Sequence, residues 1–587
     1  HNTLRKEKKQ KGEIIIATFN GRTLGTEERE IELNNALQNM KVDILGLSEV
    51  RRFREAIIEK QNGDIFSYIG ETKGQKGVGF IIKRQLKHNI QEITGVSERI
   101  ATLSLLMKGI KYTIIQVYAP TESSSIEDLE QFYSLLEETI NKHKTHRIIL
   151  MGDFNSKVGH KEHDDEEPMG PYGYGRRNNR GDRLIQFAQG QRLKIVNTFF
   201  KKDKTSRWTW IAPNRKTKNE IDFILVNNLP DVKDIQVING LKFDTDHRMI
   251  RMKMSIKKNR HHIYKAKQTH PTSMNSEIYR KELSKELQEA NIMEDMNVEQ
   301  LYKVLETSIE TAAKNSRTKD ENTRRSSKLK ESTLKLIDQR EIAKLTMNDS
   351  DWAKREYDEL NKRTKRTIRE DIRSHKIDII RQIMIESKST RKMKKELSNG
   401  KHWMLGVKDD KGKRIASRAQ ISAQATKFYK DLYSSTLQRN NSTTLDSNQR
   451  TANDEDKANT KVPEIIRSEV RTAIAEIKTN KSPGEDGILN EYLKIGEETL
   501  IAPLTQLFNK ILDTEDIPTA WKRSMIILLH KKGPKDEINN YRPISLMPNI
   551  YQLFMKIITK RLTKTLDEQQ PEEQFRSIWI SIRVQHN

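Results

Sequence analysis

At 587 residues the chain has room for several domains of ~100–200 residues each, yet a hydrophobic share of 34% against a charged share of 32% is low for one globule and predicts folded domains joined by solvated, charge-rich helix. The absence of cysteine excludes disulfides and cysteine-ligated zinc, so any metal site must use oxygen or imidazole ligands. Of the +25 net charge, residues 251–450 carry +18, residues 1–250 carry +7 and the rest is neutral; this surplus favours nucleic acid as partner over a solvated linker whose lysines do nothing specific.

Taken in chain order, His1–Gly12 is basic and has no apolar core, so it does not read as a signal peptide. The first residue is His rather than Met, which suggests a fragment or a conceptual translation. No apolar run approaches the ~20 residues of a spanning helix, and no membrane partner is expected. Between residues 13 and 256, short Ile- and Val-rich runs bounded by Gly, Asn and Asp predict strands. They include Glu13–Phe19, Asp43–Leu47, Val78–Ile82, Tyr112–Tyr118, Arg147–Met151, Leu193–Asn197, Ile221–Val226 and Met249–Ile256. Apolar residues at helical spacing predict helices over Thr26–Met40 and Ser125–Lys142. This alternation argues for an α/β domain over residues 12–257.

Residues 258–460 lose Gly and Pro and read as a basic, mostly helical linker, with Ile368, Ile372, Ile377, Ile380 and Ile383 on one helical stripe. Ser316–Lys330 has almost no apolar content and reads as disordered, and Asn440–Thr460 reads as a flexible link. From residue 461 to 587 order returns, with an amphipathic stretch Ile465–Ile477, a loop at Lys481–Gly487, two helix-like segments and a strand Ser524–His530.

In the first domain, polar residues collect at strand ends: Asn20, Glu49, Tyr118, Asp153, Asn155, Asp222, Asp246 and His247. Phosphodiester hydrolysis needs a cation to offset phosphate charge, a carboxylate to deprotonate water, and donors to hold the phosphate. Glu49 can bind the cation, Asp153 can handle the water and His247 can contact the phosphate, while a carboxylate such as Asp222 fixes the histidine's tautomer and charge. Hard oxygen ligands suit Mg²⁺ or Mn²⁺. Each residue alone has a duller reading. A Glu at a strand end is usually solvated, Gly-Asp-Phe-Asn is more often a turn, and Trp208-Thr209-Trp210 is more often packing than a base-stacking platform.

The joint occurrence changes the weighing. Thr18-Phe19-Asn20, Ser48-Glu49, Tyr118-Ala119-Pro120, Gly152-Asp153-Phe154-Asn155, Trp208-Thr209-Trp210, Ile221-Asp222-Phe223 and Thr245-Asp246-His247 resemble, in order, the motif series of the endonuclease/exonuclease/phosphatase superfamily. The flavour is that of the endonucleases of LINE-type (non-LTR) retrotransposons and of craniofacial development protein 2-like sequences. The resemblance implies a DNase I-like, four-layer fold of two packed sheets flanked by helices. It implies Mg²⁺ (or Mn²⁺) at Glu49 with Asn20 beside it and Asp246 assisting, water activation by Asp153 with Asn155, phosphate contact by Tyr118, and pairing of Asp222 with His247. Apurinic-type members often carry an acidic residue where this chain has Arg22, which fits nicking of intact DNA better than cleavage at abasic sites.

In the last region, Asn480-Lys481-Ser482-Pro483-Gly484-Glu485-Asp486-Gly487 and Asn540-Tyr541-Arg542-Pro543-Ile544-Ser545-Leu546 resemble the fingers motifs of non-LTR reverse transcriptases. The resemblance implies that Lys531, Lys532 and Arg542 meet a nucleotide triphosphate. It thins out at Gln570–Ser577, residues 578–587 fit nothing familiar, and no Tyr/Phe-x-Asp-Asp palm sequence follows. The expectation is a target-nicking, metal-dependent endonuclease with a truncated polymerase region that does not polymerise. DNA is the expected partner, together with the element's own RNA, and access to the nucleus is expected if the enzyme acts. A superfamily phosphatase and an inactive nucleic-acid-binding remnant are the alternatives. Oligomeric state is not legible.

Overall fold

Two sheets account for the short apolar runs of the first 256 residues. The computed structural model describes residues 12–256, 274–316, 328–434 and 462–569, apart from positions 39, 215, 292, 294, 348–349, 387–388 and 399. The basic N-terminal stretch up to residue 11, most of Ser316–Lys330, the link Asn440–Thr460 and residues 570–587 lie outside the described residues.

The strands are β1 (Glu13–Asn20), β2 (Ile44–Ser48), β3 (Arg54–Glu59), β4 (Ile65–Gly70), β5 (Val78–Ile82), β6 (Ile90–Ser97), β7 (Ile100–Met107) and β8 (Ile110–Tyr118). They continue as β9 (Arg147–Asp153), β10 (Lys194–Ile195), β11 (Trp210–Ile211), β12 (Lys218–Asn219), β13 (Asp222–Val226), β14 (Val232–Ile238) and β15 (Met249–Ser255). One eight-stranded sheet runs β14-β15-β1-β2-β5-β4-β3 and is edged by Lys401–His402; the six-stranded sheet runs β10-β13-β9-β8-β7-β6. Each is mixed: β1 and β2 are parallel, as are β8 and β9, and their other neighbours are antiparallel.

Period-2 alternation sorts the side chains. Ile14, Ile16, Phe80, Ile114, Met151 and Ile224 fill the space between the sheets. The outer face of the first sheet offers Ala17, Phe19, Leu45 and Leu47 to α1 (Glu27–Ala36) through Leu33. The outer face of the second offers Ile115, Leu150, Phe223 and Leu225 to α2 (Ile126–Asn141) and α3 (Asn179–Gly190), through Phe132, Leu136, Leu184 and Ile185. The result is the four layers expected from the sequence. Burying each such aliphatic side chain contributes about 1.5–3 kcal/mol. α2 begins where Ser125 accepts the Asp128 N–H, so its start is written in the sequence. α1 ends at Ala36 rather than running to Met40, and the Leu37 N–H already closes on Leu33.

One predicted strand is corrected. Leu193–Asn197 holds only the two-residue β10, then turns at Val196–Thr198. The buried Asn197 side chain makes that turn: it donates to Glu220 and to the Asp222 carbonyl and accepts from the Ile224 N–H, taking over contacts a longer ladder would have supplied. Strands β3, β4, β6, β7 and β14 and helix α3 complete the sheets without having been among the predicted elements.

Beyond residue 256 the chain serves two compact units. Helices Glu331–Thr346 and Asp351–Ile385 belong to the unit of the sandwich. They pair through Ile337, Ile368 and Ile372, two of which lie on the predicted Ile stripe, and Ile31 of α1 packs against them. Helices Ser276–Glu289 and Val298–Asn315 belong to the second unit, where Leu283, Leu301, Leu305 and Ile309 share one core with Val470, Leu493, Leu504, Phe508 and Leu553. That unit also carries the antiparallel hairpin Met525–His530/Tyr541–Leu546.

Candidate active site

Strand register decides where the polar residues meet. In register, Asn20 lies opposite Ser48, Tyr118 opposite Asp153, and Asp153 opposite Asp222. Sequence-distant strand ends are thereby brought to one rim. Beneath that rim the sheets are stitched by Gln116, whose side-chain amide donates to Thr18 Oγ1 at 3.1 Å and Ser48 Oγ at 2.9 Å. Gly46 leaves the room for this bridge, since a Cβ there would lie 1.9 Å from the Gln116 oxygen.

Two backbone devices aim the side chains. Gly152 has φ +149°, and a Cβ would meet the Val117 carbonyl oxygen at 2.1 Å, so the glycine of Gly-Asp-Phe-Asn is required by the sheet, not only by a turn. Arg22, Glu49, Arg51 and Asn155 hold φ between 47° and 56°, a left-handed conformation that costs of order 1–3 kcal/mol each and clusters here around one cavity.

That cavity, of about 340 Å³, is lined by Glu49, Tyr118, Asp153, Asn155, Asp246 and His247, with Arg22, Arg51, Lys157 and Trp210 also on its wall. Asn20 and Asp222 are buried behind these residues. Asn20 Nδ2 donates to Glu49 Oε1 and to Asp153 Oδ2, both at 2.9 Å, while its Oδ1 accepts the Arg22 N–H. Arg51 pairs with Glu49. Asp153 Oδ1 accepts the Asn155 N–H at 3.0 Å, and the Asn155 side chain donates to the Ala119 carbonyl. His247 Nδ1 meets Asp222 Oδ2 at 3.0 Å and its Nε2 lies 3.9 Å from Asp153 Oδ2. All eight residues expected for the first site therefore sit in or directly behind one cavity.

Charge and burial set the protonation states. Burial alone would lower the His247 imidazole, but Asp222, Asp153 and Asp246 outweigh it and raise it to about 10. Burial, with the Asp222 charge beside it, pushes the Asp153 carboxyl up to about 7. Burial and the Glu49 and Asp153 carboxylates hold the Tyr118 phenol well above its ordinary value, so it stays a neutral O–H donor.

Two groups of residues could hold a metal. Asp153, Asp222 and His247 each offer a ligand atom within 4.8 Å of the others. An imidazolium held between two carboxylates has no lone pair to give, so this trio is better suited to proton handling. Glu49 and Asp246 supply hard oxygens at the cavity wall. Asp246 Oδ2 accepts from the Trp210 indole at 3.3 Å, but its buried Oδ1 has no hydrogen-bond donor. A cation fits that donor-poor oxygen.

Several supporting residues carried no assigned role in the sequence. Thr209 Oγ1 accepts the N–H groups of Ile221 and Asp222 and so fixes the start of β13. Thr245 Oγ1 donates to the Asn20 carbonyl and accepts the His247 N–H. Trp210, weighed as packing, also lines the cavity and holds Asp246; Trp208 carries the Arg248 guanidinium over its ring at 3.1 Å. Their signal was adjacency to the motif residues, which gives proximity but no partner.

The second set of predicted residues is placed differently. Lys531 and Lys532 follow the strand Met525–His530, and Arg542 sits on the partner strand opposite Leu529; all three are exposed. In the loop Lys481–Gly487, Asp486 is buried and accepts from the Tyr302 hydroxyl at 3.2 Å.

Residues 112–251 match the family model described as endonuclease-reverse transcriptase. Over 250 residues the chain is 26% identical to craniofacial development protein 2 of Bos taurus, covering 42% of this chain and 42% of that protein. It is 33% identical over 124 residues to the RNA-directed DNA polymerase from mobile element jockey of Drosophila melanogaster, covering 21% of this chain and 13% of that one. The matches thus span under half the length of either relative. Among solved structures, the endonuclease domain of TRAS1, a telomere-specific non-LTR retrotransposon, is 14% identical and covers 42% of this chain and 100% of its own, with a TM-score of 0.31. The AP endonuclease LMAP from Leishmania major is 12% identical and covers 42% and 89%, with a TM-score of 0.33.

Proposed function

We propose that this chain, whose residues 112–251 match the endonuclease-reverse transcriptase family model, nicks DNA by phosphodiester hydrolysis in the cavity of its two-sheet sandwich. The observation that carries the reading is the His247 imidazole held between Asp222 and Asp153, with Asn20 linking Asp153 to Glu49.

Asp153 takes the proton of the attacking water. Its raised carboxyl is a competent acceptor near neutrality, and Asn20 and the Asn155 N–H fix its orientation. His247, cationic and locked by Asp222, donates from Nε2 to a non-bridging phosphate oxygen as negative charge builds there. The Tyr118 hydroxyl, held neutral, is a second donor on the cavity wall. The water oxygen bonds to phosphorus as the P–O bond to the leaving ester oxygen breaks, that oxygen takes a proton from solvent to leave as the alcohol, and the proton held on Asp153 is returned to solvent. Glu49 and Asp246, with the remaining lone pair of the Asn20 oxygen, would hold Mg²⁺ or Mn²⁺, whose positive charge offsets that of the phosphate. In the second unit, Lys531, Lys532 and Arg542 are assigned to contact with a nucleic acid or a triphosphate, as cations meeting polyphosphate.

The test is conversion of supercoiled plasmid to the open-circular form by the full chain in Mg²⁺, against a panel of small phosphomonoesters. Nicking that is lost in Glu49→Gln and His247→Ala supports the assignment. Turnover of the small esters without nicking makes the site a phosphatase, and binding without turnover of either makes it a remnant.

A further inference from the structure

The loop that delivers Asp246 and His247 is not held by the sandwich alone. It follows residues 242–245, and a helical hairpin from more than 80 residues downstream in sequence, Glu331–Thr346 with Asp351–Ile385, grips that segment from within the same compact unit. Lys344 Nζ donates to the Thr245 carbonyl at 2.9 Å and to the Phe243 carbonyl at 3.3 Å. Asp244 accepts from the Tyr357 hydroxyl at 2.8 Å and the Asn361 amide at 3.2 Å, and pairs with Lys365 at 2.8 Å. The hairpin is also anchored on α1 by Arg340, fully buried against Glu32 at 2.8 Å, and by Lys376 on Glu27 at 2.6 Å.

We propose that this hairpin is a working part of the catalytic unit, and that Lys344 is a positioning residue for His247. The path is short and made of named bonds. Lys344 holds the Thr245 carbonyl; Thr245 Oγ1 accepts the His247 N–H and donates to the carbonyl of Asn20, the residue that links Asp153 to Glu49. One clamp therefore acts on both halves of the site, through backbone rather than through any group that touches substrate. The half-buried ammonium reaches two backbone carbonyls of the same segment, and such charge-assisted hydrogen bonds hold their partners more firmly than neutral ones. A misplacement of about 1 Å in a catalytic group costs of order 10²-fold in rate.

The inference rests on the function proposed above, and the experiment separates the two. In the full chain, Lys344→Ala is expected to lower kcat for plasmid nicking by ten-fold or more with KM unchanged, and Lys344→Arg to recover most of it. Lys376→Ala, which loosens the same hairpin at its anchor on α1, is expected to keep kcat within about two-fold. Amide hydrogen exchange gives a readout independent of turnover: peptides covering 243–248 should exchange faster in Lys344→Ala while those from β8 and β9 do not. Unchanged exchange in 243–248, or equal loss of kcat in Lys344→Ala and Lys376→Ala, overturns the inference. A chain that shows the exchange change but never nicks DNA overturns the function reading instead, and with it the catalytic role of Lys344, leaving only the clamp.

Discussion

The two regions with functional signatures are built in opposite ways. In the sandwich, Asn20, Asp153, Asp222 and His247 are all buried, with Asn20 hydrogen-bonded to Asp153 and His247 to Asp222 before any substrate arrives. In the second unit, Lys531, Lys532 and Arg542 project from a two-stranded hairpin whose own apolar residues, among them Met525, Ile526 and Leu529, are exposed, while that unit's core is a separate apolar helix cluster. Reaction needs proton positions fixed to fractions of an ångström, and only packed neighbours supply that. Contact with polyphosphate needs charge at the right place, and flexible exposed cations suffice. The difference predicts large, specific losses from variants in the first region and small, salt-dependent ones in the second.

The largest effect is expected at His247. Replacement by Ala removes the cationic donor and leaves Asp222 and Asp153 facing each other; nicking should fall by about 10²–10³ in kcat, read under saturating plasmid. A fall shared equally with an exposed control such as Lys531→Ala would erase the contrast.

Next comes stability. Burial alone would raise the Asp244 carboxyl, but Lys365, Tyr357 and Arg340 override it and hold it well below its ordinary value. A depressed carboxylate stabilises the fold above its unfolded value, and the contribution is lost as pH falls through the folded value. Asp244→Asn should cost roughly 2–3 kcal/mol at neutral pH, below the ~3–5 of a fully buried pair because Lys365 is partly exposed. Its denaturation midpoint should move less with acid below about pH 4 than that of the unaltered chain. Parallel acid profiles would remove Asp244 from the account.

The pH dependence of nicking sharpens the site itself. Asp153, at about 7, must be ionised to accept a proton, and His247, at about 10, must stay protonated to donate. Activity should climb through pH 7, hold, and decline toward pH 10, with the two limbs belonging to the coupled pair. Asp153→Asn should abolish turnover at every pH rather than shift the rising limb.

How much of this was legible in advance depends on what each residue does. An α/β domain was legible in the continuous apolar runs at Glu13–Asn20 and Ile110–Tyr118 and in the helical stripe Leu129, Phe132, Leu136, Ile140, because burial marks the sequence, while the four layers were implied only by the family resemblance. The eight polar residues were legible as a motif series, yet their partners were not. That Asn20 bridges two carboxylates depends on the register Asn20↔Ser48, which no local pattern encodes. Leu193–Asn197 read as a strand because its apolar run is real; the turn came from Asn197, whose contacts lie on β13 and at Glu220. The stretch expected as a basic linker showed its helical period but not its destinations: Tyr357 and Lys344 reach a loop some hundred residues earlier.

The smallest effects are expected in the second unit. Lys531→Ala, Lys532→Ala and Arg542→Ala should each leave stability within ±0.5 kcal/mol, as exposed residues do. Their triple variant should weaken nucleoside triphosphate or single-stranded RNA binding by a few-fold at low salt, with a shallower salt dependence. A complete loss of binding would show a preformed site there, and the contrast with the sandwich would fail.

The most direct test titrates Mg²⁺ against plasmid nicking in the unaltered full chain and in Glu49→Gln. The account predicts nicking that saturates with Mg²⁺ and stops with chelator, and a Glu49→Gln variant that stays folded but needs far more Mg²⁺ or does not turn over. Equal Mg²⁺ response in both proteins, or nicking that persists in chelator, would contradict it.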